Sequence, residues 1–221
     1  MIAELLPPAV VAVESFGGPQ ASSLLPGEAA AVATAGPVRR TEFAAGRACA
    51  RAALAELGVP PGPVLPGRAG EPVWPAGVVG SLTHCAGYRA CAVARAGDLA
   101  AIGIDAEPDR ALPGGVLAAV AGDAERSRIA DLCAADPAVP WDLLWFCAKE
   151  SVYKAWFGAS GLRLRFADVR AEFAEAGRFT AHVAGAAARI DGRWLVRDGL
   201  ALTAATVTAP GRSVSAGARA G

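Results

Sequence analysis

Three short stretches of this 221-residue chain bring together side chains that can do polar chemistry. In the run from Ile102 to Pro108 an apolar segment ends in two carboxylates, Asp105 and Glu107, spaced i, i+2. Strand alternation turns both to one side, where like charges repel unless a cation sits between them, and hard oxygen donors suit magnesium better than zinc. Two acids at a solvated strand end are the plain alternative. In the run from Phe146 to Lys154, helical spacing puts Phe146, Glu150 and Lys154 on one face. An exposed Glu–Lys pair contributes only about 0.3–0.5 kcal/mol. The aromatic neighbours Trp145, Tyr153, Trp156 and Phe157 set this pair beside a cleft instead, with Glu150 as a third carboxylate and Lys154 as an ammonium for a phosphate. The third stretch, Gly80 to Tyr88, holds His84 next to Ser81 and Thr83 at a strand-to-turn junction, which points to anion contact. The other histidine, His182, lies in a plain strand pattern and reads as a structural hydrogen-bonder.

These residues need elements to position them. Helical spacing of Phe43, Cys49, Ala53, Leu54 and Leu57 predicts a helix over Val38 to Leu57, stopped by Gly58, Pro60 and Pro61, so that Arg39, Arg40, Arg47 and Arg51 share one helix. Leu112 to Cys133 reads as a looser helical region, and Trp141 to Phe157 as a strong helix between Pro140 and Gly158. Ala9 to Val13 reads as a first strand. Further strands are expected over Val78 to His84, Arg89 to Ala94, Ala100 to Glu107, Phe179 to Val183, Arg193 to Arg197 and Leu200 to Val207. Asp198-Gly199 between the last two is a hairpin signal, because a tight turn needs positive φ. Strands cluster before residue 108 and after 178 with helices around each cluster. The expected class is therefore α+β, in two similar halves, 1–104 and 105–208, with 209–221 as a mobile tail.

Composition narrows the functions. Twenty-one Lys+Arg balance 21 Asp+Glu, so there is no broad positive field for nucleic acid or an anionic membrane, and a charged ligand must be met by a local cluster. The chain is 53% hydrophobic, yet no uninterrupted apolar run reaches the roughly 18 residues of a spanning helix. Glu4, Pro7, Pro8 and Glu14 flank the N-terminal apolar run and no basic region precedes it, so a cytoplasmic protein is expected. Five scattered cysteines without a C-x-x-C pair read as reduced core residues rather than a disulfide or zinc framework. Of the basic residues only Lys149 and Lys154 are lysine, and both fall in one helix. A coding bias toward arginine does not account for that pairing.

Taken in order, Ser81 to His84, Gly103 to Glu107 and the Lys149-Glu150-Ser151 to Lys154 helix resemble the three-part signature of Sfp-type 4′-phosphopantetheinyl transferases. Arg40 to Phe43, Gly46-Arg47, Gly80 to Tyr88 and Phe146 to Phe157 are similar to the branch of enterobactin synthase component D and actinobacterial carrier-protein activators. The resemblance covers roughly residues 35 to 207. It implies two halves related by a pseudo-twofold axis, with coenzyme A in the cleft between them and Mg²⁺ on its pyrophosphate. By the same resemblance Asp105, Glu107 and Glu150 match the metal carboxylates, and Lys154 the lysine on the coenzyme A phosphates, with a catalytic part for Glu150 and Lys154. His84, Arg39 and Arg47 fall at the 3′-phosphate, with Ser81, Thr83 and Lys149 also at the coenzyme A site. Two departures stand out: Phe146 replaces the usual tryptophan, and Pro66 takes the place of an upstream phosphate lysine, with Arg68 nearby to replace its charge.

The activity so implied is Mg²⁺-dependent transfer of 4′-phosphopantetheine from coenzyme A to a serine of an apo acyl- or peptidyl-carrier protein. Clients would be fatty-acid, polyketide or nonribosomal-peptide synthases, adenosine 3′,5′-bisphosphate would leave, and a monomer would suffice. A Mg²⁺-dependent phosphohydrolase could use the same acids and lysine, and a non-catalytic coenzyme A or carrier-protein binder would keep the fold alone.

Overall fold

A computed structural model describes residues 1–17, 24–60, 62–174, 177–186 and 189–208. After a 3-10 turn at Ile2–Leu5 come β1 (Val11–Phe16), α1 (Pro26–Ala31), α2 (Pro37–Glu56), β2 (Val78–Cys85), β3 (Tyr88–Arg95) and β4 (Leu99–Pro108). Then follow α3 (Val116–Val120), α4 (Asp123–Ala135), α5 (Trp141–Ser160), a 3-10 turn at Phe166–Asp168, β5 (Val169–Ala174), β6 (Arg178–Val183), β7 (Arg189–Arg197) and β8 (Leu200–Thr208). The fold is α+β, as the sequence predicts. One antiparallel sheet runs β1-β3-β2 and a second runs β4-β8-β7-β6-β5.

β3 is buried along nearly its whole length because both its faces are covered. Cys91 and Val93 pack with Cys49, Ala50, Ala53 and Leu54 of α2. Ala90, Ala92 and Ala94 pack with Ile102 and Ile104 of β4 and with Leu202 and Ala204 of β8. On the far side of the second sheet, Ala148, Val152 and Ala155 of α5 meet Ala181, Ile190 and Ala205. Period-2 burial therefore leaves Gly103, Asp105 and Glu107 on the α5 side of β4, while Ile102, Ile104 and Ala106 face the first sheet.

Two differences from the sequence reading have local causes. The loose helix expected from Leu112 to Cys133 is two helices, broken by extended backbone at Ala121 and Gly122, where Glu125 takes the Gly122 N–H at 3.2 Å. α5 runs past Gly158 and ends at Gly161, whose φ of 70° is the left-handed stop. α1 and β5 were not expected. The 198–199 hairpin forms as predicted, with φ of 52° at Asp198 and 75° at Gly199. The tail expected at 209–221 lies outside the described residues, as does Pro61. All five cysteines are free, and Cys49, Cys91 and Cys147 are buried.

Candidate functional site

The site exists because α5 lies directly on β4. A Cβ added to Gly103 would meet the Ser151 carbonyl oxygen at 1.8 Å, so only glycine lets the helix approach this closely. That approach brings Lys154 Nζ to 2.7 Å from Asp105 Oδ1 and 2.9 Å from the Ile104 carbonyl. Asp105 is buried, accepts a further bond from Thr83 Oγ1 at 3.3 Å, and leaves its Oδ2 without a hydrogen bond. Burial pushes the Glu150 carboxyl above the usual carboxylate range, and the Asp105 charge adds to this while Lys154 opposes it. Glu107 is raised by the same sequence of causes: burial first, then Asp105, with Lys154 and Arg110 opposing and Glu150 adding. Three acids thus feel one another's charge around one ammonium.

Asp105 and Lys154 open into a cleft of about 810 Å³ between the two sheets' helices. Its other wall is cationic and aromatic. Arg39 Nη1 lies 3.4 Å from His84 Nε2 and 3.8 Å from Glu42. Arg47 is only 6% exposed, stacks its guanidinium 4.2 Å from the centre of the Phe43 ring, and keeps a buried Nε without a hydrogen-bond partner. Burial holds its pKa below the usual guanidinium value, partly countered by Glu28. Trp74 closes this wall, held by its Nε1 donating to the Gly80 carbonyl at 3.0 Å. A second pocket of about 530 Å³ is bordered by Glu150 and Lys149 and walled by Leu164, Phe166 and Val169, and Tyr153 borders both spaces.

The structure therefore brings together Asp105, Glu107, Glu150 and Lys154, and across the cleft Arg39, Arg47 and His84. Other expected residues also bond to the protein itself. Ser81 Oγ accepts the Ile104 N–H and Thr83 Oγ1 the Ala106 N–H, both at 3.1 Å. These two buried hydroxyls satisfy the backbone of β4's free edge and tie β2 to it, although both residues also border the cleft. Lys149, expected at the coenzyme A site, directs its three N–H donors to protein acceptors: the Val120 carbonyl at 2.7 Å, Glu125 Oε2 at 2.6 Å and the Phe166 carbonyl at 3.2 Å. Pro66 borders the cleft, but Arg68 is exposed and not among the lining residues. Glu125, which the sequence reading passed over, holds Lys149 and also accepts from Trp145 Nε1 at 3.0 Å. Its signal was available, since Trp145 and Lys149 are i, i+4 on α5 and share a face.

Residues 27–94 match the family model of the 4′-phosphopantetheinyl transferase N-terminal domain, and residues 101–205 match that of the 4′-phosphopantetheinyl transferase superfamily. The chain is 53% identical to 4′-phosphopantetheinyl transferase Svp of Streptomyces mobaraensis, over 95% of this chain and 90% of that one. The chain belongs to the 4′-phosphopantetheinyl transferase family. It is also 43% identical to 4′-phosphopantetheinyl transferase PptT of Mycobacterium tuberculosis, covering 92% of this chain and 96% of that one. The branch resemblance holds as well: enterobactin synthase component D of Escherichia coli is 38% identical over 55% of this chain and 56% of its own. Among the described residues of this transferase family member, no helix is long and apolar enough to cross a membrane.

Proposed function

We propose that this chain transfers the 4′-phosphopantetheine group of coenzyme A to a serine of an apo acyl- or peptidyl-carrier protein, releasing adenosine 3′,5′-bisphosphate. The observation that carries the reading is that Asp105 and Lys154, with Glu107 and Glu150 close enough to feel the Asp105 charge, border a cleft that Arg39, Arg47 and His84 also line. That spacing of charges suits a molecule with phosphates at two places. Arg39, Arg47 and His84 bind the remote 3′-phosphate, where the unpartnered Arg47 Nε finds an acceptor. Lys154 meets the pyrophosphate. The pantetheine arm runs past Tyr153 into the apolar pocket beside Leu164 and Phe166.

Among the described residues, no group of three His, Cys, Asp or Glu side chains is set to hold a metal ion by itself. Mg²⁺ does not require one, because it commonly binds through one or two carboxylates and completes its shell with substrate phosphates and water. The residues fit it: Asp105 offers a buried Oδ2 with no hydrogen bond, and burial together with the Asp105 charge raises Glu107 and Glu150 above their ordinary pKa, which a bound cation would offset. Asp105, Glu107 and Glu150 would hold the ion. When bound it neutralises charge on the pyrophosphate. Glu150 accepts the proton of the carrier serine as its oxygen bonds to the pantetheine-side phosphorus and the bond to the adenosine-side phosphate breaks. Lys154 balances the charge that develops on the leaving phosphate.

We also propose that the protein works as two halves meeting near residue 104, related by a pseudo-twofold axis, with the site in the cleft between them. In support, each sheet carries its own long helix, α2 on the first and α5 on the second, although residue 104 lies within β4 and the whole of β4 pairs in the second sheet. With both halves in one chain, a monomer can build the cleft. Free cysteines support a reducing, cytoplasmic setting.

The test is intact-mass analysis of an apo carrier protein incubated with this chain, coenzyme A and Mg²⁺, beside an EDTA control and Glu150→Gln. One phosphopantetheine gained only in the wild-type, metal-containing sample supports the reading. Free phosphopantetheine without carrier modification replaces it with a hydrolase, and coenzyme A binding without transfer to any carrier replaces it with a binder.

A further inference from the structure

Lys149, Glu150 and Ser151 are consecutive on α5, and successive helical side chains point about 100° apart. Glu150 faces the acids of β4, while its neighbours are buried on either side of it. Ser151 Oγ lies 3.2 Å from the Thr203 carbonyl and 2.5 Å from Thr203 Oγ1, which in turn donates to the Cys147 carbonyl at 2.9 Å. This fastens α5 to β8. On the opposite side the Lys149 side chain is 1% exposed, and its acceptors come from the end of α3, the first turn of α4 and the 3-10 turn at Phe166. An ammonium has three N–H groups, and all three are engaged.

Glu125 completes the clamp. Its Oε2 accepts from Lys149 at 2.6 Å and from the Gly122 N–H at 3.2 Å, while Oε1 accepts from Trp145 Nε1 at 3.0 Å and from the Ala171 N–H at 3.1 Å. Four donors saturate the carboxylate. For Lys149 to reach a phosphate it would abandon three acceptors and leave a half-buried Glu125 without its counter-charge.

We propose that Lys149 is a positioning residue for Glu150, acting through Glu125, and does not bind a coenzyme A phosphate. Lys149 on one side and Ser151 on the other fix the rotation of α5 about its axis, and with it the direction of Glu150. Lys149 and one of its acceptors, Phe166, also border the apolar pocket. The inference rests on the proposed function in one respect, that Glu150 is the reacting carboxylate.

The test compares Lys149→Met, which keeps the stem and removes the charge, Glu125→Gln, and the double variant. Carrier-modification kcat per folded molecule and coenzyme A affinity by calorimetry are read for each. The expected result is a kcat loss of about tenfold or more in Lys149→Met with coenzyme A Kd within about twofold of wild type, and recovery of much of that loss in the double variant. A weakened coenzyme A Kd overturns the inference whatever kcat does, as does an unchanged kcat or a double variant no better than the single. Should Lys149→Met fail to fold, Glu125→Gln decides: lower kcat at unchanged Kd supports the clamp, and unchanged kcat removes it. A wild type that binds coenzyme A but modifies no carrier defeats the proposed function separately, and the Kd of Lys149→Met then decides whether Lys149 touches the phosphates.

Discussion

Lys154 neutralises only half of Asp105: its ammonium sits 2.7 Å from Oδ1, while Oδ2 of the same buried carboxylate has no hydrogen bond. Protein groups alone thus leave the pair incomplete, and Glu107 and Glu150 stand close enough to feel the Asp105 charge. An arrangement of this kind is a poor way to gain stability. It is a good way to hold a place for a cation and for phosphate oxygens.

Removing Lys154 tests that view. In Lys154→Ala three mutually repelling acids lose their one ammonium, so the ligand-free protein is expected to lose about 1–3 kcal/mol, discounted because Lys154 is partly solvated. For a chain of this length that is about 2–10 °C in melting temperature. Millimolar Mg²⁺ should return part of the loss, because the acids then regain a counter-charge. A melting curve of Lys154→Ala that ignores Mg²⁺ would mean the carboxylates do not share an ion.

Arg39 and Arg47 are expected to read the 3′-phosphate. Charge-assisted bonds contribute about 1.5–3 kcal/mol each, so wild type should prefer coenzyme A over dephospho-coenzyme A by about tenfold or more, and the Ala variants should lose much of that preference. Arg47→Ala should show the larger effect, since its guanidinium is buried against Phe43 and its Nε has no other partner. Kinetics with the two nucleotides in parallel decide it. Variants that discriminate as wild type does would place the 3′-phosphate elsewhere.

Gly103 carries a prediction of a different kind. The Ser151 carbonyl leaves no room for a Cβ, so Gly103→Ala must push α5 away from β4. Overpacking of this sort is expected to destabilise by about 1–3 kcal/mol or more. The displaced helix also carries Glu150 and Lys154 away from Asp105, so transfer should fall further than the loss of folded protein accounts for. Activity per folded molecule, with folding followed by circular dichroism, separates the two effects.

Much of this was legible in the residues because the relevant signals are local. The Gly103 to Glu107 alternation, the i, i+4 spacing of Glu150 and Lys154 and the Asp198-Gly199 turn each depend on a few neighbours, and each appears as expected. What escaped depends on partners distant in sequence. That the hydroxyls of Ser81 and Thr83 accept the edge N–H groups of β4 could not be read from their own neighbours. The protein acceptors of Lys149 were hidden in the same way, because Glu125 lies 24 residues earlier. β5 does show alternation of Val169, Ala171 and Phe173, but alanine richness hid it. Buried Glu28 could not have been foreseen, because its partner Arg51 reads as one more surface arginine.

Glu125 gives the clamp a pH signature. Burial alone would raise its pKa, but hydrogen bonds from Lys149 and Trp145 and from the Ala171 N–H outweigh that and hold it below the ordinary value of 4.5. A carboxylate lowered in the folded state contributes stability that is full above its unfolded pKa and is lost as pH falls through the folded value. The unfolded chain binds the proton first, so stability must decline on acidification below about pH 4.5 and not on alkalinisation. Glu125→Gln removes the titrating group, and its stability should therefore be lower than that of wild type at pH 7 and converge on it as the pH approaches 3. Urea unfolding of both proteins across this range measures the gap directly. A gap that stays constant from pH 7 to pH 3 would show that Glu125 holds its partners without bearing the charge the clamp requires.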